Sequence, residues 1–349
     1  MEAAESTSIS GLKFQPLGAE LGAVVTAGVD FTKPVPAETI AAIREGMARY
    51  GVLVFRQTGM DDAAHVAFAS QFGDLEDHAP WIPPGQPYRL GPHTQLADIG
   101  NVENDGAIAA ADSIRHYINA GNALFHVDCS YNPRRAGFSI LRGHKLPPPG
   151  SGGSTLYADT RAAWRDLDEA TKEQVKDLVL CHSLWYSRKL GAPDCKPLQG
   201  IDPMDHPMGR HMAAQLHEPS GRMNLYIAAH VHHVDGWSYE ESRPLIDELL
   251  RHATQDKYVV QVDWENDGDV VMWDNTCVMH KGKKGAYIGK HVRDMRRATV
   301  YDNSSAAWGL NDRNSEESGM YSKSMKEKVT WCDGKRPGEA NGESQQVSA

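Results

Sequence analysis

The spacing of apolar residues changes character several times along the chain. In PAETIAAIREGMARY, Ile40, Ile43 and Met47 recur at helical spacing, which predicts an amphipathic helix. GVLVFR, residues 51–56, is a short unbroken apolar run and reads as a buried strand. A second helix is expected next, capped by Asp61 or Asp62 and ended by Gly73. From about 79 to 122, Pro, Gly, Asn and Asp interrupt every period. Long loops are expected there, and such loops are uncommon in a domain unless they shape a site.

Beyond them, FHVDCSY, FSILRGHKL, STLYA, NLYIAAHVHHV, YVVQVDW, DVVMW and RRATVYD read as strands with turn residues between them. A helical region is expected over about 160–180. Ser238 and Glu241 have the spacing of a capping box before Leu245, Ile246, Leu249 and Leu250. Many strands with few helices predict a mainly β protein with flanking helices (α+β), a sandwich or barrel. Residues 1–12 are expected to form a loose N-terminus, 13–302 one domain, and 303–349 a polar tail. Trp308 and Trp331 suggest that parts of the tail dock.

Composition narrows the function classes. At 349 residues, with 40% hydrophobic and 23% charged residues, the chain is ordinary for a globular enzyme. No apolar run approaches the roughly eighteen residues needed to span a bilayer. The start has neither a basic nor an apolar leader region, so a cytoplasmic location is expected. A net charge of −10 gives no general attraction to nucleic acid or to an anionic membrane. The five cysteines form no CxxC pair, which argues against a disulfide framework and a zinc ribbon. The segment 281–297 is rich in Lys and Arg. Most of these lysines read as a solvated loop, and the arginine end as a candidate contact for an anionic small molecule.

The chemistry begins at FHVDCSY. On a strand, residues i and i+2 face the same way, so His126 and Asp128 would project side by side as two teeth of a chelate. A third tooth must come from elsewhere, and His280, at the end of DVVMWDNTCVMH, is the best candidate. Two His and one carboxylate with open positions beside them are diagnostic of non-haem Fe(II) oxygenases. A 2-oxo acid bound at those positions needs a cation for its far carboxylate, and a guanidinium fits best. In HVRDMRRATVYD, Arg293, Met295 and Arg297 share one strand face, Asp294 and Arg296 the other. Arg296 therefore fits a solvent-facing strand end.

GVLVFR, FASQFGDLEDH, ADIGNV, FHVD, GGSTLYAD, WDNTCVMH and RDMRRAT occur in an order that resembles the taurine dioxygenase/2,4-dichlorophenoxyacetate dioxygenase family of Fe(II)- and 2-oxoglutarate-dependent oxygenases. The resemblance implies a double-stranded β-helix, or jelly roll. It implies that His126, Asp128 and His280 bind iron, that Thr155 and Arg293 hold the far carboxylate of 2-oxoglutarate, and that Asn122 lies near this cosubstrate. It also implies that His78 and Arg297 hold the anionic group of the prime substrate, and that O2 is consumed. A carboxylate at position 128 implies hydroxylation, or desaturation or ring closure. The expected partner is a small anionic organic molecule, foremost a carboxylate, with a sulfonate, purine or amino acid as alternatives; self-association into a homo-oligomer is left open. The segment from Ser187 to Met212 carries no motif that transfers. Two readings compete: a zinc-type hydrolase built on His230, His232 and His233, and a non-catalytic binding module on the same fold.

Overall fold

Two strands buried along their whole length, Val52–Phe55 and Val270–Asp274, lie side by side in the centre of the largest sheet. Strands buried on both faces lose the usual alternation, which explains their unbroken runs. The computed structural model describes residues 6–315 and residue 319, apart from 83, 84, 86 and 111. Among these residues the largest sheet has eight strands, in the order Thr7–Ile9, Leu12–Pro16, Ala23–Ala27, Val52–Phe55, Val270–Asp274, Ala136–Lys145, Asp294–Tyr301 and Leu96–Asp98. All neighbours are antiparallel except Ala23–Ala27 with Val52–Phe55, whose connection runs through the predicted helix, Ala37–Tyr50.

One face of this sheet is covered by that helix and by Asp62–Ser70, over Phe14, Ile43, Met47, Phe68, Phe72, Ile140 and Met272. The other face packs through Val54, Leu141, Tyr157, Val271, Trp273 and Met295 on a smaller sheet of Val259–Val262, Thr155–Asp159 and Val278–Gly282. A third sheet, of Val231–Val234, Val179–His182 and Gly209–Met212, shares a core with helix Tyr239–Ala253 through Leu180, Val231, Ile246 and Leu249. These facing sheets, with helices outside them, form the mainly β jelly roll. Asp61 caps the second helix, and Ser238 and Glu241 form the expected capping box.

Several expectations need correction. The N-terminus is not loose from Thr7 onward, because Thr7–Ile9 pairs with Leu12–Pro16. NLYIAAHVHHV is broken into Arg222–Leu225 and Val231–Val234. The loop region 79–122 contains the strand Leu96–Asp98 and the helix Ile114–Ala120. A further helix, Leu184–Gly191, begins just before Ser187; Ser183 caps it by accepting from the Tyr186 N–H at 3.2 Å. Past residue 303, the Arg135 N–H donates to the carbonyl of Ala307 at 3.1 Å and the Leu310 N–H to that of Arg210 at 2.9 Å. Trp331 lies outside the described residues.

Candidate metal centre

His280 stands on Val278–Gly282, directly opposite Tyr157 of the neighbouring strand. On its other side comes His126, whose N–H donates to the carbonyl of His280 at 2.9 Å while its carbonyl accepts from the N–H of His280 at 2.8 Å. The pairing stops there, so FHVDCSY is not the regular strand expected. The Asp128 N–H donates to Asn275 Oδ1 at 2.9 Å and Cys129 takes a left-handed φ of 53°. A side-chain amide has replaced a neighbouring strand, and the chain turns away. His126 and Asp128 still converge on one side, while Val127 enters the apolar core.

The three polar side chains are buried. His126 Nε2 lies 4.0 Å from Asp128 Oδ1, and His280 Nε2 lies 3.8 Å from Asp128 Oδ2. One ligand atom from each falls within 4.8 Å of the others. His126 donates from Nδ1 to the carbonyl of Leu124 at 2.7 Å, which leaves Nε2 with a free lone pair. The His280 ring packs on Trp273, with centroids 4.6 Å apart. Burial pushes the pKa of both imidazoles down, so they are neutral, as metal ligands must be. Burial alone would raise the Asp128 carboxyl. Arg297 chiefly, with the Ser139 hydroxyl, holds it well below the usual range. Two neutral imidazoles and one ionised carboxylate fit a ferrous ion with vacant positions.

Arg297 lies on the strand Asp294–Tyr301, and Arg293 stands just before it, with a register shift between Asp294 and Met295. Met295 between them is fully buried, and Asp294 and Arg296 point the other way. Asp294 is gripped by Arg89 at 2.7 Å, which fixes the strand end beside Arg293. Arg296 is not solvent-facing: it pairs with Asp62, and with Asp294 at 3.4 Å.

Arg293 donates to the carbonyl of Gly153 at 3.2 Å and stacks near Tyr287. Among the described residues it has no carboxylate partner. Burial pushes its pKa down, partly offset by Tyr287 and Tyr157. Thr155 is buried and its hydroxyl accepts from Trp264 Nε1 at 3.2 Å. Tyr157, two residues on and so on the same strand face, has a buried hydroxyl without a hydrogen-bond partner. A guanidinium without an anion beside an unsatisfied phenol is a ready site for a carboxylate.

On the far side of Asp128, Arg297 donates to Asp128 Oδ1 at 2.5 Å and to Thr299 Oγ1 at 3.2 Å. Glu76 lies beside this arginine's neighbours, 3.6 Å from Cys129 Sγ and 3.9 Å from His78 Nε2. Asn122 accepts from Arg188 Nη1 at 3.2 Å, and so faces helix Leu184–Gly191. Sequence reasoning missed Tyr157, Arg188 and Asn275. Tyr157 had a signal, its two-residue offset from Thr155; Arg188 had none.

The histidines proposed for zinc do not assemble. His230 Nδ1 is 2.7 Å from Ser187 Oγ, and His232 and His233 contact each other at 2.9 Å. A second close trio, His217, Asp274 and Cys277, is internally satisfied: His217 bonds Asp274 at 3.0 Å and Ser220 at 2.6 Å, and Asp274 accepts from Thr276. It ties the hairpin Ala214–His217/Arg222–Leu225 to the central strand.

A jelly roll holding a two-His, one-carboxylate centre, with an arginine nearby that meets no carboxylate of the described residues, defines a non-haem, 2-oxo-acid-dependent oxygenase. Residues 13–299 match the model of the taurine catabolism dioxygenase TauD, TfdA family. The chain is 39% identical to an alpha-ketoglutarate-dependent 2,4-dichlorophenoxyacetate dioxygenase of Burkholderia sp. (strain RASC), over 76% of this chain and 86% of the relative. It is 29% identical to an alpha-ketoglutarate-dependent sulfate ester dioxygenase of Pseudomonas putida, over 83% and 89%. Its fold superposes on the crystal structure of AAD-2 in complex with Mn(II) and N-oxalylglycine with a TM-score of 0.73 at 32% identity, covering 84% of this chain and 98% of that one. The chain belongs to the TauD/TfdA family of Fe(II)- and 2-oxoglutarate-dependent dioxygenases.

Proposed function

We propose that this dioxygenase oxidises a small organic acid, with an aryloxyalkanoic acid as the leading class and a sulfate ester as the second. The observation that carries the reading is the pairing of a buried His126–Asp128–His280 centre with Arg293, a guanidinium that meets no carboxylate of the described chain. When bound, the ferrous ion and 2-oxoglutarate supply the oxidising chemistry: one O2 is split between the cosubstrate, which leaves as succinate and CO2, and a substrate C–H bond, which becomes C–OH.

The chain's own residues position the reactants. His126, Asp128 and His280 hold the metal from one side. Arg293, Thr155 and Tyr157 receive the far carboxylate of the cosubstrate, so that its other end lies toward the metal ligands. His78 and Arg297 line the opposite wall, where the prime substrate enters. Positioning is the main work of such a site, because a misplacement of about an ångström costs rate heavily. The relatives' substrates carry an ionised group, a carboxylate or a sulfate, which suits a wall with arginines.

The test is succinate release measured with Fe(II), 2-oxoglutarate and O2 against a panel of phenoxyacetate, 2-phenoxypropionate, an alkyl sulfate, taurine and an amino acid. The aryloxy acids should stimulate release most. Turnover supported by zinc without O2 would overturn the oxygenase reading, and stimulation by taurine alone would overturn the substrate class.

A further inference from the structure

The wall facing the metal centre carries two guanidiniums, and they are not in the same state. Arg297 is committed: it donates to Asp128 and to Thr299, with the Glu76 carboxylate also drawing on its charge. Arg188 is uncommitted. Among the described residues its one hydrogen bond to a side chain goes to the neutral amide of Asn122 at 3.2 Å. Its Nε is buried with no partner, and it forms no salt bridge among the described residues. A buried cation without an anion is costly, so the geometry calls for an anion that the chain itself does not supply.

The position is built. Helix Leu184–Gly191 lies against the turn Gly121–Ala123, close enough that a Cβ on Gly191 would come within 2.6 Å of Gly121 Cα. Arg188 crosses over Gly121, where a Cβ would lie 2.2 Å from its Nη1. Ser187, the preceding residue, bonds His230 at 2.7 Å, and the His230 ring stands 5.6 Å from that of His126. The helix is thereby anchored one ring away from a metal ligand. Burial lowers the pKa of Arg188, while Tyr131 and Asp128 pull it back up; both lie on the segment that carries the metal-binding carboxylate.

We propose that Arg188 binds the anionic group of the prime substrate and so sets which of its C–H bonds faces the metal, while Arg297 chiefly holds Asp128. This assignment rests on the proposed reading of the site as one for small organic acids. It names a specificity residue in a segment where the sequence offered no motif.

The test measures binding in the absence of O2, to protein loaded with Fe(II) and 2-oxoglutarate, of phenoxyacetate and of its neutral amide. Wild type should prefer the acid. Arg188→Gln should weaken acid binding by about tenfold to a hundredfold, the value of a charge-assisted hydrogen bond, and leave the amide unchanged. Arg188→Lys should restore part of the preference, and 2-oxoglutarate affinity should stay within about twofold, as expected where a cation contacts only the prime substrate. Equal losses for acid and amide would show a merely structural role and overturn the proposal. So would a preference for the acid that survives in Arg188→Gln but disappears in Arg297→Gln; the substrate class would then stand. If wild type prefers no anion, whether phenoxyacetate over its amide or an alkyl sulfate over its alcohol, the substrate class fails and the role of Arg188 fails with it.

Discussion

His126 and His280 exchange both of their backbone hydrogen bonds, at 2.9 and 2.8 Å, and their rings lie 4.2 Å apart. The two imidazoles are thus placed by the main chain, before any metal arrives. Asp128 is placed differently, by a turn held on Asn275 and by the opposing charge of Arg297.

Removing that carboxylate has two separable consequences. Asp128→Ala removes the proposed anionic ligand and leaves Arg297 without the group it donates to. Fe(II) binding and succinate release should both be lost, and unfolding free energy should fall by on the order of 3 kcal/mol, as for one broken partner of a buried ion pair. Metal titration calorimetry and urea denaturation check the two effects. A variant that binds Fe(II) like wild type would remove Asp128 from the ligand set.

The proposed cosubstrate pocket should show a graded response. Arg293→Ala removes the cation and should weaken 2-oxoglutarate binding by about tenfold to a hundredfold. Tyr157→Phe removes only a neutral donor and should cost about twofold to tenfold. Titration of the Fe(II) protein with 2-oxoglutarate without O2 measures both. Equal effects would mean that the phenol and the guanidinium do not share one carboxylate.

Gly191 has no room for a side chain, since its added Cβ would meet backbone atoms of Ala120 and Gly121, the nearest being Gly121 Cα at 2.6 Å. Gly191→Ala should push helix Leu184–Gly191 outward and destabilise the fold by about 1–3 kcal/mol. It should also raise KM for the prime substrate more than for 2-oxoglutarate, because the displaced helix carries Arg188. Thermal midpoints and steady-state kinetics test this, and an unchanged KM ratio would count against it.

His65 gives the fold an acid-sensitive element away from the metal centre. It is buried beneath the large sheet, with Nε2 3.0 Å from the carbonyl of Ile140. Burial first, then Arg142, depresses its pKa to about 3. A depressed histidine is neutral in the fold but takes up a proton when unfolded below its ordinary value. Its contribution is therefore complete above about pH 6.5 and is lost as the pH falls toward 3, at up to about 1.4 kcal/mol per pH unit. The slope of unfolding free energy against pH should be shallower in His65→Gln over that window. Identical slopes would show that another group sets the acid limit.

The legible parts of this sequence are those with a local cause. Val52–Phe55 and the first four residues of Val270–Asp274 announce themselves as apolar runs, Ser238 and Glu241 as a cap, and Arg297 as a residue of the strand that Arg293 just precedes. His126 and Asp128 were found for a reason only half right: they converge, but through a turn whose amide partner, Asn275, is far away in the chain. What was hidden depends on tertiary contact. Arg296 reads as a solvated strand end until Asp62 is seen opposite it. Arg188 reads as an ordinary helix residue until that helix packs on the turn before His126.

Asn275 uses both ends of its amide. Its oxygen accepts from Asp128 and from the indole of Trp273, and its nitrogen donates to the carbonyl of Gly137 and to Ser139. Every one of these partners belongs to the central sheet or to the turn that carries Asp128, and none to helix Leu184–Gly191 or the long 79–122 region. This amide's hold on Asp128 therefore makes no direct hydrogen bond to the helix that carries Arg188. A substitution on that outer helix should therefore leave all four hydrogen bonds of the Asn275 amide in place.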